Sequence, residues 1–122
     1  MRALLLCGVA ALAFAGAPAY GYNIVDAFYD EAANQLVVEL IYRGTNPDHD
    51  FSLEWGPCSE GPPHRVVARL IDDQWQDAAD RDYRVRERFP LEGLQCRPAQ
   101  VTLRAGPVQH ASVFIPPDPR GK

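Results

Sequence analysis

Arg84, Arg86 and Arg88 fall at every second position, and Arg65 and Arg69 stand four residues apart in an earlier alternating segment. On a β-strand that spacing puts the side chains of each set on one face. Guanidinium groups in a row suit planar or multivalent anions such as carboxylates, phosphates and sulfated glycans, which they bind through forked hydrogen bonds. These five arginines are the candidate binding face. The competing account is an ordinary solvated face, with the arginines paired to Asp82, Glu87 or acids on a neighbouring strand, where each pair contributes little. Lys122 is the only lysine, so a genome that favours arginine codons would also produce such a ladder.

His49 lies between Asp48 and Asp50, a motif loop in which an imidazole held by a carboxylate would act as a general base or a metal ligand. Alternation places His49 on the core face with Phe51 and turns both aspartates the other way, which predicts a histidine at the rim of the core bonding a loop carbonyl. His64 and His110 share no ligand spacing with it. Met1 is the only methionine and lies in the leader described below, so soft Cu(I) coordination is not expected. The acids Asp72, Asp73, Asp77, Asp80 and Asp82 lack the mid-loop glycine and terminal glutamate of an EF-hand. Ser52, Ser59 and Ser112 have no glycine-framed elbow. No catalytic residue, metal or cofactor is assigned, and the chain is read as a non-enzyme.

Cys7 lies in an N-terminal segment with a basic start at Arg2, an apolar run from Ala3 to Ala15 and the small residues Ala17-Pro18-Ala19. That is the pattern of a secretory signal peptide, with cleavage expected after Ala19. The apolar run is short of the ~20 residues that a membrane span needs. The expected location is periplasmic or secreted, with Cys58 and Cys96 oxidised to a structural disulfide. Closing a loop of about 39 residues is worth roughly 4 kcal/mol at most. The formal charge of −4 becomes more negative once Arg2 is removed, which argues against nucleic acid as a partner.

The elements that position these residues alternate with a period of two, the mark of half-buried strands. Leu36, Val38, Leu40 and Tyr42 share a face, as do His49, Phe51, Leu53 and Trp55; Val66, Ala68 and Leu70; Tyr83, Val85 and Phe89; Ala99, Val101 and Leu103; and Ala111, Val113 and Ile115. An opening segment from about Tyr22 to Tyr29 makes seven strands. Turn residues separate them at Asp30 to Gln35, Gly44 to Asp48 and Gly56 to Pro63. Asp72 to Asp82 alone permits a helical turn. Seven short strands in ~100 residues predict an all-β fold, a single immunoglobulin-like antiparallel β-sandwich with one disulfide. It spans residues 20–115, followed by a flexible Pro-rich tail at 116–122.

From Leu36 to Ile115 the chain resembles a family of small exported bacterial proteins, many of them lipoproteins, with no established activity. Their typical opening reads Leu-Val-Val-Glu-Val-x-Tyr-x-Gly-Gly-Cys-x-x-His-x-Phe. Here Leu36-Val37-Val38-Glu39-Leu40-Ile41-Tyr42 leads through Gly44 to His49-Asp50-Phe51. Trp55-Gly56-x-Cys58, Arg69-Leu70-Ile71-Asp72 and Ser112-Val113-Phe114-Ile115-Pro116 are also similar. The family often has cysteines where this chain has Asn46 and near Ala79, and their joint absence fits a second disulfide lost as a unit. The resemblance implies an exported location and a fold class.

Two functions are carried forward. The first is a non-catalytic binding module of the envelope that presents its arginine face or the Pro47 to Asp50 loop to a protein or an anionic ligand. The alternative is a small inhibitor of a hydrolase that uses the proline-stiffened loop from Gly56 to Pro63, held by the disulfide so that little entropy is lost on binding.

Overall fold

The structure is a computed structural model that describes residues 22–74, 81–106 and 109–120. The expected signal peptide, the stretch 75–80 with Asp77 and Asp80, and the last two residues lie outside the described residues. The seven strands are β1 (Tyr22–Asp30), β2 (Gln35–Gly44), β3 (Phe51–Trp55), β4 (His64–Asp72), β5 (Arg81–Pro90), β6 (Ala99–Ala105) and β7 (Gln109–Ile115). They form a three-stranded sheet in the order β1-β2-β5 and a four-stranded sheet in the order β3-β4-β6-β7. The fold is all-β, as the alternation predicts.

Each strand buries the face its apolar residues define. Leu36, Val38, Leu40 and Tyr42 of β2 meet Val66, Ala68 and Leu70 of β4, Val101 and Leu103 of β6 and Val113 and Ile115 of β7 in one core, closed at one end by Phe89, Leu91 and Leu94. Val37 points to the opposite side from Leu36 and Val38 yet is also fully buried. Its register neighbours there are Phe28 and Arg88.

One pairing departs from the expected antiparallel sandwich. β4 and β6 run parallel, with Val66 beside Val101 and Arg69 beside Arg104. The physical reason is the route of the chain: β5 crosses to the other sheet, and a crossover of that kind delivers the next strand in the direction of the first. β4 is therefore not a neighbour of β5.

The turns follow local chemistry. Asp30 Oδ1 accepts hydrogen bonds from the amides of Ala32 and Ala33 at 3.1 and 3.3 Å. Asn34 takes the left-handed conformation, φ 55°, which asparagine tolerates better than most residues. The same end of the sandwich is stapled by the Cys58–Cys96 disulfide and, one residue on, by Arg97. Its Nε donates to Pro116 O at 2.8 Å, and its Nη2 donates to Asn34 Oδ1 at 3.0 Å and to Tyr29 Oη at 3.3 Å. Its Nη1 lies 3.8 Å from Asp118 Oδ2. Residues 116–120, expected as a free tail, thus lie against the domain. The proline-rich composition gave no sign that a buried arginine from the β5–β6 connection would hold them.

Two predictions come from this end of the molecule. Replacing both Cys58 and Cys96 by alanine should lower the unfolding free energy by about 2–4 kcal/mol, read from urea denaturation of parent and variant. The Asp118 carboxyl is held down to about 2, first by hydrogen bonds from the Arg120 side chain and backbone and then by the charges of Arg120 and Arg97. A depressed acid stabilises the fold above its unfolded pKa and loses that contribution as pH falls through the folded value. Carboxyl NMR should place the Asp118 midpoint near 2, with the contacts of 116–120 intact at pH 5 and released below the midpoint.

Candidate functional site

The two arginine sets lie on opposite outer faces of the sandwich. On the three-stranded sheet, Arg84, Arg86 and Arg88 of β5 stand beside Ile41, Glu39 and Val37 of β2. Arg84 Nε donates to Glu39 Oε2 at 2.9 Å and Arg88 Nη1 donates to Asp30 Oδ2 at 2.8 Å. Arg43 Nε is 3.4 Å from Asp82 Oδ1. The hydrogen bond from Arg84 lowers the pKa of Glu39, and that from Arg88 lowers the pKa of Asp30, so both acids stay ionised. Arg86 makes no ion pair among the described residues, but its register partner is Glu39 and its charge also lowers that carboxyl. This ladder is largely neutralised where it stands.

The four-stranded sheet is different. Glu54, Arg69, Arg104 and His110 occupy one row across β3, β4, β6 and β7. Arg69 Nε is 3.3 Å from Glu54 Oε1. Arg65 and Arg104 are exposed and make no ion pair among the described residues. Arg65 stands beside Gln100, and between that position and the row lie the exposed Val67 with Thr102 and Ser112; Gln100 Nε2 donates to Ser112 Oγ. Four residues along a strand place Arg65 about 13 Å from Arg69. Arg104 is the functional candidate that sequence reasoning missed. Its own alternation is legible, but only the parallel β4–β6 register sets it beside Arg69.

His49 is buried, as its alternation predicts, and the partner at its Nδ1 is a carboxylate. Nδ1 donates to Asp72 Oδ2 at 2.7 Å, and the His49 side chain is 1% exposed. Tyr42 stacks on the imidazole with ring centroids 4.3 Å apart and donates through Oη to Asn46 O at 3.1 Å. Burial pushes the Tyr42 phenol pKa up. Asp48 and Asp50 face solvent. Their backbones are tied to the turn after β4: Gln74 Nε2 donates to Asp48 O, Asp50 N to Asp73 Oδ1, and Asp73 N to Asp50 O. An imidazole sealed at this depth meets no substrate; the pair fastens the β2–β3 loop to the end of β4. Among the described residues no three His, Cys, Asp or Glu side chains are grouped to hold a metal ion.

The loop from Gly56 to Pro63 is held along its length. Gly56 N donates to Val67 O at 2.8 Å, Ser59 N to Arg65 O at 3.0 Å, and Arg65 N to Ser59 Oγ at 2.8 Å. His64 Nδ1 donates to Ser59 O at 2.7 Å. Pro57, Pro62 and Pro63 remain exposed.

Set against known proteins, the chain matches no family model, no curated sequence and no solved structure.

Removing one member of a buried pair strands the other. Asp72→Ala should cost about 3–5 kcal/mol of stability, whereas Arg84→Ser, which breaks an exposed pair, should cost under about 1 kcal/mol. Parallel urea titrations of the two variants check the contrast.

Proposed function

We propose that this protein is an exported, non-catalytic binding module that holds an anionic envelope ligand on the outer face of its four-stranded sheet. The observation that carries the reading is the Arg69–Arg104 pairing. Two like charges side by side on adjacent strands cost stability, and this chain, with a net charge of −4, has acids enough to have placed one there. Arg65 lies further along β4 on the same face, beyond Val67, and among the described residues the one acid ion-paired on that face is Glu54, held by Arg69. An anion docked between Arg69 and Arg104 would replace repulsion with paired, charge-assisted hydrogen bonds.

Export is part of the proposal. It is supported by the signal-like N-terminus and by a disulfide, which persists in oxidising compartments. Among the described residues no helix is long and apolar enough to cross a membrane. The immunoglobulin-like character of the sandwich is supported by its division of seven strands into sheets of three and four. Kinship with the exported bacterial family rests on the motif residues from Leu36 to Ile115.

A second reading, inhibition of a hydrolase, is favoured by one observation: the Gly56 to Pro63 loop is exposed at its prolines and fixed by the disulfide and four hydrogen bonds. Capture of a hydrolase by immobilised protein, lost when Pro62 and Pro63 are changed to glycine, would favour it over the anionic ligand.

The experiment for the main reading is retention on a sulfated-polysaccharide resin at low salt. Serine at Arg65, Arg69 and Arg104 should abolish retention, while serine at Arg84, Arg86 and Arg88 should leave most of it. Equal losses in the two variants would sink the assignment to one face. Arg104→Gln alone should weaken retention yet raise the unfolding free energy by a few tenths to about 1 kcal/mol, because it removes the like-charge contact.

A further inference from the structure

Where the disulfide joins the β3–β4 and β5–β6 connections, the surface sinks into an open cleft of about 470 Å³. That size is within the range of small-ligand sites. Trp55, Gly56 and Pro57 line it from one connection and Gly93 and Gln95 from the other, and the Cys58–Cys96 bond completes the lining. The cleft is preformed. Gly56 is bonded to Val67, Leu94 N donates to Leu91 O at 3.0 Å, and the disulfide fixes the spacing of the two connections, so little ordering entropy is lost on binding.

The composition of the lining selects a ligand. It contains no ionisable side chain, since both cysteines are oxidised, which favours a neutral guest. Trp55 is half-buried, and its indole offers a flat apolar face together with an N–H donor. Among the described residues nothing accepts a hydrogen bond from Trp55 Nε1, and nothing pairs with the Gln95 amide. The cleft therefore holds an unspent donor at the tryptophan and both a donor and an acceptor at Gln95. Gly93 is required for this arrangement: a Cβ there would lie 2.5 Å from Trp55 Cδ1 and 2.9 Å from Nε1, so any side chain would displace the indole.

We propose that this cleft is a carbohydrate site that takes one neutral pyranose unit, with the sugar ring against the Trp55 indole and its hydroxyls bonded to Trp55 Nε1 and the Gln95 amide. A prolyl peptide would also lie on the indole, but proline has no N–H and leaves Gln95 Oε1 without a donor. A sugar hydroxyl both donates and accepts. The site is independent of the cationic sheet face and stands or falls without it.

The test is fluorescence titration. Trp75→Phe leaves Trp55 as the only tryptophan. Cellotriose, chitotriose and maltotriose, all neutral, are titrated into that protein, with hexaproline as a competing probe. At least one sugar should shift Trp55 emission saturably, and Gly93→Ala and Gln95→Ala should each weaken binding by roughly tenfold or more, a loss of about 1.4 kcal/mol. Gln95→Ala removes only an exposed side chain and keeps the fold, which circular dichroism verifies. No saturable shift with any of the sugars, a shift that survives both substitutions, or saturation by hexaproline alone would each overturn the proposal.

Discussion

The parallel ladder between β4 and β6 is the constraint on which the rest of the molecule depends. Each of the hairpins β3–β4 and β6–β7 would be a two-stranded ribbon by itself, and ribbons of that size are marginal in water. Joined through Val66 beside Val101 and Ala68 beside Leu103, they become a four-stranded sheet wide enough to cover β2. The same ladder aligns Glu54, Arg69, Arg104 and His110 in one row. A slip of one residue would turn Arg104 into the core and Leu103 out to water, so the burial of Leu103 and the exposure of the cationic row are set by one register.

That ladder needs β5 to leave and return, and the return is secured at the disulfide end. Cys96 ties the β5–β6 connection back to the loop before β4, and His64 N donates to Pro98 O where β4 and β6 begin. Arg97 then gathers Tyr29, Asn34, Pro116 and Asp118, so the β1–β2 turn and the segment after β7 converge on one side chain. The other end is held by neutral and ionic bonds between loops, with His49 and Asp72 at their centre. A small domain has little stability to spare, and both ends of this one are fastened by interactions that join residues far apart in sequence.

The strands themselves were legible because alternation is local: His49, Phe51, Leu53 and Trp55 declare a face with no knowledge of what lies opposite. Pairing was not. The single candidate face of Arg65, Arg69, Arg84, Arg86 and Arg88 is divided by the β5 crossover, a feature of the whole chain that no window of residues contains. The carboxylate at Asp72 was hidden from His49 for the same reason, 23 residues away in sequence and 2.7 Å away in space. The disulfide was readable since Cys58 and Cys96 are the only cysteines after residue 19, whereas the hold of Arg97 on residues 116–118 required knowing where β7 ends.

The charges also bear on where this molecule can be approached. On one side of the sandwich β3 lies near β5, and both are edge strands with unpaired backbone groups. β3 is only five residues long, and β5 carries Glu87 among inward-facing Tyr83, Val85 and Phe89. Burial and the charge of Asp50 raise the Glu87 pKa, so the carboxylate sits there at a cost. An inward-facing charge on a sheet edge discourages further strand pairing, and a short edge strand offers little to pair with. Edge-to-edge association is opposed by both devices, and the outer face of the three-stranded sheet is neutralised by Asp30, Glu39 and Asp82. Among the described residues, the row containing Arg69 and Arg104 carries a single acid, Glu54, which pairs with Arg69. Arg69 and Arg104 stand side by side at that register, a like-charge contact that Glu54 offsets from the β3 side alone.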